Sequence, residues 1–372
     1  MNGSEVLIVA GEVSGDIHAG NMLAELRGLI PEVRAFGIGG ERLAAAGFDL
    51  VARTEELAHM GLVEVLRELP RIRQVMNRLV DEARSRRPVA AVLVDSPDFN
   101  LRLAARLRKL GIPVVLYVSP QLWAWRRGRV RTVRKLAREV LCILPFEVEF
   151  YEAYGARARY VGHPLVDEID RVGLLEKPRH PKSGRLALMP GSRAMEVRQL
   201  LPVMVRTLSS IPSELIGEAV LIEAPGLEAA IGSVLTEHGG DPRIQRVGGD
   251  DRRKALAGAE MAWTASGTAT LECTLLNVPM IVGYRLQPIS YALAKLLVRV
   301  PNVALVNLIA GRTVVPELLQ GNWNLGRLTT VTRELLGGGA EEQMGGLAEA
   351  RERLGRPGAS LKAAQAVAEY LG

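Results

Sequence analysis

Short apolar runs alternate with glycine-bearing turns and with stretches of helical periodicity along most of the chain. Val6–Ala10 is wholly apolar, meets the turn residues Gly11, Ser14 and Gly15, and gives way to a helical stretch from Ile17 to Leu29. Arg34–Ile38 is a second run that ends in Gly39-Gly40, and Val89–Val94, Val114–Val118 and Glu139–Leu144 are further runs rich in Val, Leu and Ile. Between them, positions such as Leu101, Ala104, Ala105 and Leu107 recur at the spacing of one helix face. An apolar run without polar alternation suits a strand covered on both sides. Strand, loop and helix in rotation predict a parallel sheet between two helical layers. Residues 1–166 are therefore expected to form one Rossmann-like domain.

The pattern lapses over 167–184, where Lys, Arg, Pro and Gly displace the apolar periodicity, and this stretch reads as a linker. It then restarts. Arg185–Met189 leads into Pro190-Gly-Ser-Arg, a helix is expected over Met195–Leu208, and Ala219–Glu223, Met261–Thr264 and Met280–Val282 read as strands. Residues 185–340 form the second expected Rossmann-like domain. The fold class that follows is α/β, with two parallel-sheet domains facing a central cleft in which a ligand meets the carboxyl ends of the strands. Glycines at 337–339 and 345–346 introduce a last helix, Leu347–Leu371, and the segment 341–372 is expected to pack back on the N-terminal domain.

A length of 372 residues fits two or three domains, and 48% apolar with 24% charged residues excludes wholesale disorder. Two cysteines, Cys142 and Cys273, are too few for a disulfide framework or a Cys-based zinc site. The formal charge of +6 points to an anionic partner. Aromatics at 4% are thin for a protein that stacks bases, so nucleic acid is not expected. The N-terminus lacks the basic region of a signal peptide, and no uninterrupted apolar stretch suffices to span a bilayer. A cytoplasmic protein able to lie on a membrane surface is the expectation.

Several strand-to-helix turns could hold an anion. Gly11-Glu-Val-Ser-Gly-Asp16 and Gly37-Ile-Gly-Gly40 have the wrong glycine spacing for a dinucleotide fingerprint, and both serve equally well as tight turns. Pro190-Gly-Ser-Arg193 is sharper, because Gly191, Ser192 and Arg193 would aim amides, a hydroxyl and a guanidinium at one point. Its plainer reading is a helix start with Arg193 paired to Glu196. Ser266-Gly267-Thr268 repeats the design, and Glu272 falls one turn on from Thr268, where it could accept from ribose hydroxyls or simply charge a helix face.

Asp95-Ser-Pro-Asp98-Phe-Asn100 follows a strand, and Pro97 is expected to leave Asp98 on a loop. Two aspartates so close suit general-base work if one is desolvated and its pKa raised; a capping turn is the alternative. The sixteen positions from Trp123 to Arg138 carry seven basic residues and no acid. That density suits an anionic surface, and Trp123 and Trp125 suit an interfacial anchor or a sugar-binding wall. Apolar positions at helical spacing from Met60 to Val80, flanked by arginines, and again over Tyr291–Val300, read as core helices or as a membrane face. The histidines are scattered without metal-ligand spacing, and His163 in Gly-His-Pro reads as structural.

Taken in order, these stretches resemble one family, the lipid-A-disaccharide synthases, glycosyltransferases of the two-Rossmann-domain (GT-B) type. The resemblance rests on Ala10–Asp16, Gly37–Gly40, Met60-Gly61 with Glu64-Val65-Leu66, Asp95–Asn100, Tyr117–Arg126, Leu144-Pro-Phe-Glu147, Gly162–Leu165, Pro190–Arg193 with Glu196, Ser266–Glu272, and Asn307–Arg312 with Val315–Gln320. Leu122 and Met189 depart from the family pattern without touching a charged position. The resemblance implies an inverting, metal-independent transfer of a diacylated glucosamine from its UDP ester to the 6-hydroxyl of a diacylated glucosamine 1-phosphate at the inner face of the cytoplasmic membrane. No cofactor is implied, and monomer or homodimer is left open. Asp98 then becomes the general base. Gly191, Ser192, Arg193, Ser266, Gly267, Thr268, Glu272 and Asn307 become donor contacts, and Gly15, Asp16, Leu66, Leu69, Trp123, Trp125, Arg126, Arg127 and Arg129 acceptor or membrane contacts. Met60–Val80 and the basic belt are expected to receive the acyl chains. The competing readings are another UDP-sugar enzyme on the same architecture, such as an epimerase or a peptidoglycan-precursor transferase, and a non-catalytic nucleotide- or RNA-binding protein.

Overall fold

The computed structural model describes residues 4–58, 65–125, 127–178, 180–287, 291 and 300–371, with side chains at 58 and 65–69 outside the description. Contacts divide the chain into two units, Met1–Asp167 with Pro357–Gly372, and Glu168–Arg356.

The first unit holds a seven-stranded sheet in the order β3-β2-β1-β4-β5-β6-β7. Its strands are β1 Glu5–Ala10, β2 Arg34–Gly39, β3 Asp49–Arg53, β4 Ala90–Val94, β5 Val114–Tyr117, β6 Glu139–Cys142 and β7 Ala158–Tyr160, and neighbours run parallel. The apolar runs are explained by which way successive side chains face. Leu7 and Val9 of β1 and Ala91 and Leu93 of β4 enter one buried cluster, while Val6, Ile8, Ala10, Val92 and Val94 enter another. With period-two alternation, every residue of such a strand is buried on one side or the other.

The second unit holds a six-stranded sheet in the order β10-β9-β8-β11-β12-β13, built from β8 Lys182–Met189, β9 Glu218–Ile222, β10 Ile244–Val247, β11 Ala259–Ala265, β12 Met280–Tyr284 and β13 Glu317–Leu319. Again neighbours run parallel. In each sheet the strand order reverses once, between β1 and β4 and between β8 and β11, and the loops leaving those strands bound a crevice. Ala10 pairs with Val94, so Gly11 and Asp95 emerge side by side. Met189 pairs with Thr264, so Pro190 and the residues before Ser266 do the same.

Four expectations are refined by the structure. The stretch 167–184, expected as a linker, carries regular structure at both ends, because the helix Pro164–Arg171 and the strand β8 both reach into it. The last helix is two, Ala340–Leu354 and Ala359–Ala368, broken where Gly355 and Gly358 take positive φ around Pro357. Only the second of these belongs to the first unit, with Ala363, Ala364, Ala366 and Val367 in the cluster that also contains Met22 and Leu23. Asp167 caps it, accepting from the amides of Gly358, Ala359 and Ser360 at 2.6, 3.1 and 2.9 Å. Finally, the amphipathic stretch before residue 80 forms the helix Val65–Arg86, and Val75, Met76, Leu79 and Val80 are buried in the core. Those four side chains of the face are spent on the sheet. Leu66 and Leu69 have no described side chains, and Met60–Glu64, Arg126 and the residues 292–299 of the Tyr291–Val300 stretch lie outside the described residues. No described helix is long and apolar enough to cross a membrane.

Candidate functional site

The crevice of the first sheet is lined by Gly11 and by the turn after β4. Asp95 and Ser96 both adopt positive φ, 52° and 39°, an uncommon conformation for two successive non-glycine residues and one that costs of order 1–3 kcal/mol each. Asn100, fully buried, holds the turn by donating from Nδ2 to the carbonyls of Val94 (3.1 Å) and Asp95 (2.7 Å). A Cβ on Gly11 would lie 2.3 Å from Ser96 Oγ, so only glycine lets the two loops approach this closely.

Asp98 sits in the first turn of the helix Pro97–Lys109, after Pro97 at its start, and not on the expected loop. Proline is compatible with a helix's first turn, so the residue expected to end the strand also begins the helix. The Asp98 side chain is 68% exposed and pairs with Arg129, Nη1 to Oδ1 2.6 Å. The aspartate that burial drives to a raised pKa is Asp95.

Three residues expected to touch the acceptor or the membrane instead hold the unit together. Asp16 is buried and accepts from the amides of Gly40 (2.7 Å), Arg42 (2.9 Å) and Leu43 (3.2 Å), tying the loop after β1 to the one after β2. Gly15 is buried, and a Cβ there would contact the Val94 side chain at 3.7 Å. Trp123 is buried as well, with its indole N–H donating to Glu147 Oε1 at 3.0 Å, so it is neither an interfacial anchor nor a wall open to sugar. Trp125 is 42% exposed. The basic stretch is not one helix but a turn, a short 3-10 segment Arg127–Arg129 and the helix Val130–Leu136. Arg127 Nε donates to the Trp123 carbonyl at 3.3 Å. His163 is structural: its Nδ1 accepts from the Leu165 amide, and burial lowers its pKa to about 3.

In the second unit, Pro190–Arg193 leaves β8 and enters the helix Ala194–Ser210. Gly191 has φ 117°, and a Cβ there would lie 2.2 Å from Glu196 Oε2. Glu196 accepts from the Ser192 amide at 2.9 Å and pairs with Arg193 Nη1 at 3.3 Å, the plainer alternative to an anion clamp in this loop. Arg193 is nonetheless 80% exposed, and an i,i+3 surface pair of this kind is weak. Ser266 and Gly267 begin the helix Thr268–Leu275, Gly267 with φ 119° and Thr268 exposed. Ser266 Oγ donates to the Val303 carbonyl at 2.8 Å.

Glu272 lies a turn beyond Thr268, but Arg253 Nε (3.3 Å) and Arg252 (3.6 Å) face its carboxylate, and Arg253 also bonds Glu168. Asn307 is buried, and all four of its amide valences are used. Nδ2 donates to Val315 O and Glu317 Oε1, and Oδ1 accepts from the amides of Val314 and Val315. Asn307 therefore has nothing left for a direct donor contact. It orients Glu317, whose carboxylate accepts from the amides of Val303 and Ala304, next to the carbonyl that Ser266 uses. The sequence reasoning missed Asn100, Glu147 and Glu317 as site-shaping residues. Each sits in a stretch quoted for the resemblance, which was the only available signal.

The family model described as lipid-A-disaccharide synthetase matches residues 6–369. The lipid-A-disaccharide synthase of Myxococcus xanthus (strain DK1622) is 44% identical over all of this chain and 98% of its own length, and that of Anaeromyxobacter sp. (strain K) is 46% identical over 98% of this chain and 96% of its own. Among solved structures, the glycosyltransferase of kitacinnamycin superposes with TM-score 0.64 at 15% identity over 100% of both chains. The UDP-GlcNAc 2-epimerase of Neisseria meningitidis bound to UDP-GlcNAc gives 0.57 at 11% identity over 99% of both. At those identities the solved structures speak for the two-sheet fold alone.

Proposed function

The chain belongs to the lipid-A-disaccharide synthase family, and from that premise we propose how its two sheets divide the reaction. It is a glycosyltransferase that forms a disaccharide from a nucleotide-sugar donor and a glycolipid acceptor. In the finer reading the donor is UDP-2,3-diacylglucosamine and the acceptor 2,3-diacylglucosamine 1-phosphate. The acceptor 6-hydroxyl oxygen attacks the donor's anomeric carbon from the face opposite UDP. As the new C–O bond forms and the bond to UDP breaks, the hydroxyl proton passes to Asp98 and UDP departs with the bonding pair, inverting the centre. Arg129, paired with Asp98, holds the carboxylate in place for the proton it accepts.

The charge that develops on UDP needs donors aimed at it. Arg193 with the Ser192 amide, and the amides at Gly267 and Thr268, are the groups assigned to that task. Arg193 exchanges its weak surface pair with Glu196 for the diphosphate, and the Ser192 amide comes free as the Glu196 carboxylate moves aside. The observation that carries the reading is that the family match spans both sheets and both of their switch-point loops. The test follows label from UDP-diacylglucosamine into the disaccharide phosphate, in chelator and in added magnesium. Equal product in both supports the metal-free reading, and product that depends on magnesium overturns it. We further place the protein on the inner face of the cytoplasmic membrane through the exposed Trp125, Arg127, Arg131 and Arg134. Binding to anionic vesicles should exceed binding to neutral ones and fall on charge reversal at the three arginines.

A further inference from the structure

Glu147 is a carboxylate with no place in the reaction just described, yet it is buried and fully engaged. It begins the helix Phe146–Glu152. Oε1 accepts the Trp123 indole N–H at 3.0 Å, and Oε2 accepts the amides of Ile143 (3.2 Å) and Leu144 (3.1 Å). The same helix holds the loop after β5 twice more. Phe146 meets the Trp123 ring edge-on at 5.0 Å, and the Tyr151 hydroxyl donates to the Pro120 carbonyl at 2.8 Å. The loop begins at Val118 with φ 58°, a conformation a β-branched residue adopts only under constraint. It ends by handing the Trp123 carbonyl to Arg127, two residues before the Arg129 that pairs with Asp98.

We propose that Glu147 is a positioning residue for this reaction: through Trp123 it latches the loop 118–125, whose end holds Arg127, and so sets where Arg129 stands against Asp98. The proposal rests on Asp98 being the base. A charged carboxylate is the one side chain of this size that accepts on both oxygens at once. A glutamine would turn an NH2 either toward the indole or toward the Ile143 and Leu144 amides, and one side of the latch would open.

The latch is also sensitive to protonation. Burial, against the amide and indole donors and the nearby Ser119 hydroxyl that favour the charge, lifts the Glu147 carboxyl to about 7. The titratable groups around it are Cys142 on β6, Tyr151 on its own helix and Tyr160 on β7. Burial, with the Glu147 charge adding to it, drives all three upward, so they stay neutral while Glu147 titrates. A protonated Glu147 holds its donors less well, and turnover should decline on the acid side of neutrality.

The experiment compares Glu147→Gln, Trp123→Phe and the double variant in the full chain. Each single variant should lower kcat by about 10- to 100-fold while leaving the KM for the UDP-sugar within about two-fold, as misplacement of a reacting group does. The double variant should lose little more than either single. The parent's acid limb near neutrality should vanish in Glu147→Gln. Independently of turnover, tryptophan emission of the parent should titrate near neutral pH, and that transition should be missing from Trp123→Phe. Parent-like kcat in either single variant, additive losses, or an emission transition that survives Trp123→Phe overturns the latch. Should Glu147→Gln fail to fold, Trp123→Phe decides through kcat and emission. Asp98→Asn is run alongside: if it keeps turnover, the base assignment fails, while the emission titration still reports on the latch.

Discussion

In the first unit the turn that delivers Asp98 is held from every side: two left-handed residues, an asparagine bonded to two carbonyls, a glycine that admits Ser96, and an arginine on the carboxylate. In the second, Arg193 stands 80% exposed with one weak partner a turn away, and Gly267–Thr268 opens a helix toward solvent. Both turns occupy the switch point of a doubly wound sheet, so topology alone does not distinguish them. The difference is in who satisfies the polar groups. If Asp98 is the base, as proposed, its geometry must be settled before the substrate arrives, since a small misplacement is costly in rate. On the proposed reading, a diphosphate brings its own charge and can be left to organise the amides and the guanidinium assigned to it.

The contrast is open to direct attack. Asp98→Ala should cost the most, about 10²- to 10⁴-fold in kcat, with UDP affinity by calorimetry within about two-fold of the parent. Asn100→Ala comes next. It leaves the Val94 and Asp95 carbonyls without their donor and should destabilise the protein by about 1–3 kcal/mol in denaturant unfolding, with kcat falling as the turn relaxes. Arg193→Ala reverses the pattern. Its effect should lie in the donor, with KM raised about 10-fold, while melting is almost unchanged because an exposed pair contributes about 0.2–1 kcal/mol at most. An Arg193→Ala variant with parent-like donor KM would leave the second turn a structural one and end the comparison.

The dependence of stability on pH separates the units as well. Burial keeps His163 neutral down to about 3 against its ordinary 6.5, so the unfolded chain takes up the proton first and stability falls as pH drops from 6.5 towards 3. Glu147, lifted to about 7 from 4.5, works oppositely, because the folded chain takes up the proton first and gains stability as pH drops from 7 towards 4.5. Each slope is at most about 1.4 kcal/mol per pH unit, so the two oppose each other until Glu147 is spent. In the second unit, Asp241 is held down to about 2 by the Arg243 guanidinium, and its contribution is lost only as pH falls below 3.8. His163→Asn keeps an acceptor for the Leu165 amide at the start of its helix. Its stability relative to the parent should therefore rise between pH 7 and 4 in urea titrations, whereas Asp241→Asn should change its offset only below about pH 4.

The inner strands were legible because burial on both faces writes itself as an uninterrupted apolar run, as in Val6–Ala10 and Ala90–Val94. The strands that pattern reading passed over are β3, β7, β10 and β13, and they are the four sheet edges. An edge strand pairs on one side only and is short and half exposed, as Ala158–Tyr160 and Ile244–Val247 are, so nothing requires it to be apolar. The turns were legible for the same local reason: glycine, proline and serine at a strand's end mark where backbone groups are left to a helix start or a ligand. Local sequence thus determined the two parallel sheets, their switch-point turns and the acid and base candidates on them. Whether a polar side chain faces a substrate or the protein itself was decided only by tertiary structure. Asp16 meets amides 24 and 26 residues on, Trp123 meets Glu147 across a strand, and Asn307 spends its amide on a loop eight residues away. Each residue carries the same donors and acceptors in either role, and the partner that claims them comes into reach only once the chain has folded.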